Sequence, residues 1–331
     1  EDLKTDHCVV DLSPFGLHIS SDIFSMAGSE EERTLTDGAG RSLSFIGCGK
    51  IQLPAKMVKA RFPQGELASH LDTIRNLQMR DDDVLICAFP KSGTHWLWEI
   101  TTMLTNGKAE YDVRTKNVGM FEFNGKASLD SLPSPRVLNT HLPLQALPLE
   151  VLQRRIKVIF VVRNPKDVAV SHYNHFKSAE SAYPGEFAHF LPLMIKENNH
   201  CHYPWFEFVQ EFEQFVRDHP EFPIITLHYE DTKQDPIREI SRLAKFLGAN
   251  TDPSFIETVA EKCEFSNLKE ANENIKMDTS RKFSQTGKSF IYRKGEVGDW
   301  KNWFTVNQSE EFDKIYNERM KGSTLTFKFS I

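Results

Sequence analysis

Val84-Leu85-Ile86-Cys87-Ala88-Phe89-Pro90-Lys91-Ser92-Gly93-Thr94-His95-Trp96 decides the reading of this chain. Its first six residues form a short apolar run after the acidic turn Asp81-Asp82-Asp83, which predicts a buried strand. Pro90 to Gly93 breaks the run, and Thr94 to Leu104 then sets Trp96, Leu97, Ile100 and Leu104 on one side of a helix. A strand, a glycine turn and a helix make an anion cradle. Gly93 permits the sharp turn, the helix N-terminus offers free N–H donors and a positive dipole end, and Lys91 adds full charge. Ser92, Thr94 and His95 add side-chain donors. The lysine precedes the glycine, so the order differs from Gly-x-x-x-x-Gly-Lys-Ser/Thr, and Gly287-Lys288-Ser289 lacks the upstream glycine because Lys282 occupies its place. Read alone, the turn is also compatible with a solvated lysine in an ordinary loop.

Working outward, the same alternation recurs. Val137-Leu138 predicts a second strand ending near His141-Leu142-Pro143, and Ile156 to Val162 a third, β-branched like a central parallel strand. Pro165 opens a helix through Phe176. Ile224 to Leu227 predicts a fourth strand, Ile237 to Phe246 a helix closed by Gly248, and Ser254 to Cys263 another helix. The fold class expected is α/β: a single domain with a central parallel sheet flanked by helices, its ligands bound beyond the carboxyl ends of the strands.

The chain has 331 residues, 40% of them hydrophobic, and a formal net charge of −6. That length supports a sizeable core. Mild acidity argues against nucleic-acid binding, which needs a basic face. Cys8, Cys48, Cys87, Cys201 and Cys263 are scattered, without a CxxC pair, which fits a reducing compartment and a cytoplasmic location better than a disulfide framework or a zinc site. His172 and His175, and His200 and His202, form no recognisable metal motif, so no metal is expected. The longest apolar stretch, Val158 to Val162, is too short to span a bilayer, so no membrane partner is expected. Residues 1–45 are rich in serine, glycine and glutamate and predict a polar, flexible or loosely docked N-terminal extension, leaving residues 46–331 as the functional domain.

Two more basic elements stand at or after predicted strand ends. Arg163-Asn164-Pro165-Lys166-Asp167 follows the third strand, with Ser171 two turns into the next helix. A planar guanidinium there suits phosphate oxygens, while a surface salt bridge explains the cluster equally well. Arg293-Lys294-Gly295-Glu296-Val297-Gly298-Asp299-Trp300-Lys301-Asn302 reads as a loop able to fold over an anion, or as a solvated charged loop.

Taken in order, Pro90-Lys91-Ser92-Gly93-Thr94, Arg163 to Asp167 and Arg293 to Asn302 resemble the signature set of the cytosolic sulfotransferase family, in an invertebrate-like member with an N-terminal extension. The resemblance implies a P-loop-like sulfotransferase fold. It also implies transfer of a sulfonate from 3′-phosphoadenosine 5′-phosphosulfate to a hydroxyl or amine of a small acceptor, leaving 3′-phosphoadenosine 5′-phosphate. By the same resemblance Lys91, Ser92, Gly93, Thr94, His95 and Trp96 take the 5′ end, with Trp96 on adenine. Arg163, Ser171, Arg293, Lys294 and Gly295 take the 3′-phosphate. Tyr229 and Ser266 lie near adenine, and Leu268 falls where an aromatic is frequent. His141 is the implied general base, assisted by Lys91 and Ser171. Phe121 and Asn139 join His141 at the acceptor, with Phe123 and Tyr203-Pro204-Trp205-Phe206 as further candidate lining. Asn139 departs from the family, which commonly has a lysine two residues before the base; lower turnover or a compensating cation nearby is expected. Lys301 to Glu310 matches the family's dimerisation segment and implies a homodimer; the plain alternative is a helix start with Ser309 as its cap. A kinase or nucleotide hydrolase would need the other lysine order and a magnesium carboxylate. A binding module without turnover is an alternative that Asn139 keeps open.

Overall fold

The computed structural model describes residues 30–179, 183–195 and 203–331. Four parallel strands form the centre: β4 (Val84–Ala88), β5 (Val137–Thr140), β6 (Lys157–Val162) and β7 (Ile224–His228), in the spatial order β5-β4-β6-β7. Alternate residues feed opposite faces, as the two-residue period of a strand requires. Leu85, Cys87, Val158, Phe160 and Val162 enter one apolar cluster; Val84, Ile86, Ala88, Ile159 and Val161 enter the other. Burial on both faces explains why β4 and, from Val158 on, β6 are apolar throughout.

Helices cover both faces. On one lie α3 (Thr94–Asn106), α7 (Pro236–Leu247) and α8 (Pro253–Lys262), which contribute Leu97, Ile100, Leu243 and Val259. On the other lie α4 (Pro165–Ser178) and α5 (Trp205–Asp218), with α1 (Ala55–Arg61) and α2 (Leu67–Arg75) completing that layer. Between α5 and α7 comes the short α6 (Tyr229–Gln234); after α8 come α9 (Phe265–Asn274) and α10 (Val306–Arg319). Among the described residues no helix is long and apolar enough to cross a membrane.

The topology selects the site. From β4 the chain runs out to β5 on one side; from β6 it runs to β7 on the other. A crevice therefore opens beyond the carboxyl ends of β4 and β6, the position at which open α/β sheets bind ligands. Pro90 to Gly93 leaves β4 there and Arg163 leaves β6 there.

The N-terminal boundary needs correction. Residues 31–36 and 42–45, expected to belong to a flexible or loosely docked extension, are docked strand. β1 (Glu31–Thr36), β2 (Ser42–Cys48) and β3 (Ile51–Pro54) form an antiparallel sheet with Leu35 opposite Leu43. Leu35, Leu43 and Phe45 enter the main core, and the Phe45 ring meets Phe176 of α4 edge-on at 6.0 Å. The outer face is polar, with Thr34–Ser44 and Thr36–Ser42 hydroxyl pairs, and this one-sided pattern hid the strands. Residues 1–29 lie outside the described part.

Candidate active site

The loop between β4 and α3 is tightly specified. Lys91 and Gly93 both adopt positive φ, +71° and +102°. A Cβ on Gly93 would lie 2.7 Å from the Tyr229 ring, so glycine is required for space as well as for conformation. Tyr229 opens α6 directly after β7, and its buried ring joins three candidate residues. It lies against Gly93, meets Trp96 edge-on at 5.4 Å, and carries the Arg163 guanidinium 4.2 Å from its centre.

Arg163 draws the three basic motifs together. It donates to the Lys91 carbonyl at 3.1 Å and to the Glu296 carbonyl in the tail loop at 3.2 Å. Asp167 fastens the same junction from α4, accepting Gly298 N–H at 2.8 Å and Trp300 N–H at 2.9 Å. Asn164 caps α4 by accepting Asp167 N–H. In the tail loop Asp299 receives Arg293 at 2.5 Å and Lys294 at 2.6 Å. Burial raises the Asp299 carboxyl, but hydrogen bonds from Lys294, Asn302 and Arg293 more than offset this and bring it to about 2. Gly295 turns at φ +70°, where a Cβ would strike the Phe265 ring of α9.

Positive charge converges on the Lys91 loop, and Asp167 and Asp299 answer only part of it, at Arg163, Arg293 and Lys294. Burial, then Lys116, Arg163 and Arg293, pull the Lys91 ammonium down to about 7. Burial and the cations Lys116, Lys91 and Lys276 hold the His95 imidazole well below its ordinary value. Ser92 Oγ, Thr94 Oγ1, Trp96 Nε1 and Arg163 Nε are buried without hydrogen-bond partners. Unpartnered buried donors are costly, and four of them beside a cation cluster and a helix N-terminus fit a phosphorylated ligand. Ser171 is half-buried on α4, one turn before His175, whose Nδ1 lies 3.2 Å from Lys91 Nζ; spacing by four keeps the two on one helix face.

His141 sits just beyond β5 and is 6% exposed. Its Nδ1 donates to the Ala88 carbonyl at the end of β4, 2.6 Å away, which leaves Nε2 as the acceptor nitrogen. Its backbone N–H donates to Glu122, whose carboxyl burial pushes upward. Lys116 Nζ reaches His141 Nε2 at 3.4 Å and Asn139 Oδ1 at 3.2 Å. The segment 116–120 runs along β5 through a bridge between Met120 and Asn139. Gly119 allows this, since a Cβ there would lie 2.7 Å from the Val137 carbonyl.

Several expected contacts fall elsewhere. Leu268 is 1% exposed and belongs to the apolar cluster under α9; the aromatic beside the tail loop is Phe265, three residues earlier, near Tyr292. Ser266 is exposed on the same helix. Phe121, Tyr203, Trp205 and Phe206 are buried in the main core; Phe123 is half-exposed. Asn139 is also fully buried, and both polar groups of its side chain go to Lys116. His172 stacks on Phe176 at 4.8 Å, whereas His200 and His202 lie outside the described residues. Lys116, Glu122, Phe265 and Tyr292 stand at the candidate site without having been named from the sequence, and His175 was weighed there only as half of a metal pair.

Known proteins share this architecture. The family model for the sulfotransferase domain matches residues 81–324. Sulfotransferase 1A1 of Mus musculus is 36% identical over 276 residues, covering 80% of this chain and 93% of the relative. Sulfotransferase 1B1 of Canis lupus familiaris is 35% identical, covering 80% and 92%. Mouse sulfotransferase SULT7A1, solved in complex with PAP, superposes with a TM-score of 0.66 at 28% identity over 84% of this chain and 96% of its own. Retinol dehydratase, solved with retinol and PAP, shares the fold with a TM-score of 0.69 at 21% identity, over 94% of this chain and 97% of its own. With this match, and with three basic motifs meeting at one switch point, the chain belongs to the cytosolic sulfotransferase family.

Proposed function

We propose that this enzyme transfers a sulfonate from 3′-phosphoadenosine 5′-phosphosulfate to the hydroxyl or amine of a small acceptor. The observation carrying this is the junction at Arg163, where the Lys91 loop and the tail loop share one guanidinium beside unpartnered donors. The PAP held by the SULT7A1 structure supports the same donor. Lys91, Ser92, Gly93, Thr94 and His95 would receive the 5′ end. Trp96 would stack on adenine, with Tyr229 beside it, and Arg163, Ser171, Arg293, Lys294 and Gly295 would take the 3′-phosphate. When bound, the nucleotide supplies an electrophilic sulfur on a phosphate leaving group.

The residues of this chain then divide the work. His141 takes the acceptor's proton on Nε2, because Nδ1 is committed to the Ala88 carbonyl. The attacking atom bonds to sulfur as the bond from sulfur to the phosphate oxygen breaks, and Lys91 neutralises the charge left on that oxygen. Membership of this family supports a cytoplasmic location and pairing of two copies through residues 301–310. The test is transfer of labelled sulfonate from the donor to a panel of phenols, alcohols and amines, read by mass spectrometry. His141→Ala should lower kcat by about 10²–10⁴-fold while PAP affinity holds. An unchanged rate refutes the assigned base, and absence of transfer to every acceptor, with PAP still bound, favours a binding module.

A further inference from the structure

We propose that Lys116 supplies the second cation of the sulfonate-transfer site, taking from another segment the place of the family lysine that Asn139 has displaced, and that Asn139 holds it there. The proposal rests on the reading of His141 as base and of the Lys91 loop as the donor-binding turn. Lys116 begins a single 3-10 turn, Lys116–Gly119, laid along the edge of β5. Its side chain is buried, with the residue 4% exposed, and Nζ ends between Asn139 Oδ1 and His141 Nε2.

Three features separate this from a buried cation that merely fastens a loop. First, the ion pairs among the described residues do not include Lys116; its Nζ meets an amide oxygen, an imidazole nitrogen and the Met120 thioether at 3.3 Å. A structural buried ammonium ordinarily has a carboxylate against it. Glu122 helps from a distance, but its own hydrogen bond goes to the His141 N–H. Second, Lys116 acts on the donor-binding groups, since its charge depresses both Lys91 and His95. Third, Asn139 spends its whole side chain on Lys116, accepting from Nζ and donating to the Lys116 carbonyl at 2.6 Å. A lysine at 139 would set two ammonium groups side by side, so a cation at 116 and a cation at 139 are alternatives. An ammonium has three donors; the one now on His141 Nε2 is freed whenever an acceptor hydroxyl occupies that nitrogen, and a sulfonate oxygen is then the natural partner.

The experiment compares wild type, Lys116→Met, the double variant Lys116→Met/Asn139→Lys and His141→Ala as full chains. It measures kcat and acceptor KM, with calorimetric affinities for the donor and for PAP in the absence of acceptor. We expect kcat to fall about 10²-fold in Lys116→Met with a smaller change in KM. PAP affinity should hold while the donor loses its advantage over PAP, and the double variant should regain kcat to within about tenfold of wild type. A Lys116→Met rate within about threefold of wild type, with His141→Ala inactive, overturns the proposal. Equal losses of donor and PAP affinity with a lowered Tm also overturn it, because a fastening role predicts them. Should Lys116→Met fail to fold, the double variant decides alone: a folded but inactive protein rejects the exchange of positions. Activity retained in His141→Ala would instead overturn the base assignment.

Discussion

Lys91 carries a charge that the free protein disfavours. Burial and three neighbouring cations lower its ammonium to about 7, and burial lowers Lys116 to about 8 against the opposing pull of Glu122. A bound polyanion against the Lys91 loop favours the charged form of Lys91 and raises its value again. The sign follows: above about pH 7 the free site is partly deprotonated, binding takes up protons, and nucleotide affinity falls as pH rises between about 7 and 9. Calorimetric titration of PAP in buffers of different ionisation enthalpy should show net proton uptake near pH 8, reduced in Lys91→Met. Zero uptake in wild type would mean that Lys91 does not face the ligand. At this scale the sequence was legible where chemistry is contiguous: Lys91, Ser92, Gly93 and Thr94 follow one another, and Arg163 stands at a strand end. It was not legible at Lys116, which lies 25 positions from His141 and arrives only because Gly119 lets one backbone press on another.

Among the elements, α9 shows how an offset of three residues changes a role. Positions three apart are neighbours on a helix surface. Phe265 is half-buried and lies against Gly295 and Tyr292, whereas Leu268 sits beneath, in the cluster with Val259 and Cys263. Leu268→Ala should therefore cost about 2–5 kcal/mol of stability and leave PAP affinity nearly constant. Phe265→Ala should do the reverse, weakening PAP binding several-fold at a modest stability cost of about 1 kcal/mol. Denaturant unfolding and calorimetry on both variants separate the two roles; equal effects on affinity would restore Leu268 to the site. The central strands were readable because both faces are buried and their residues run apolar without a break. β1 and β2 escaped because only Leu35, Leu43, Phe45 and the residues after Phe45 turn inward, while hydroxyls and charges fill the open face.

For the whole molecule, the candidate site is assembled within one chain, since both basic loops leave adjacent strands of one sheet and the tail loop is tied back to α4 through Asp167. A second copy is therefore not required for chemistry, and the segment following the tail loop is free for pairing. Lys301, Thr305, Val306 and Glu310 are exposed, with Val306 at 76%. The expected cap at Ser309 is instead Thr305, whose hydroxyl accepts Gln308 N–H while Gln308 returns the bond to Thr305 N–H. That box fixes the start of α10 and points Val306 outward. A two-fold contact is self-complementary, so the segment's basic end would face its acidic end in the other copy and its middle would meet itself. The middle falls between Thr305 and Val306. Val306→Glu then sets two carboxylates against each other at the axis and should convert dimer to monomer in sedimentation, with kcat and PAP affinity kept within about twofold. A variant that stays dimeric assigns the pairing to another surface, and a monomer with lost activity shows that the site depends on its copy after all.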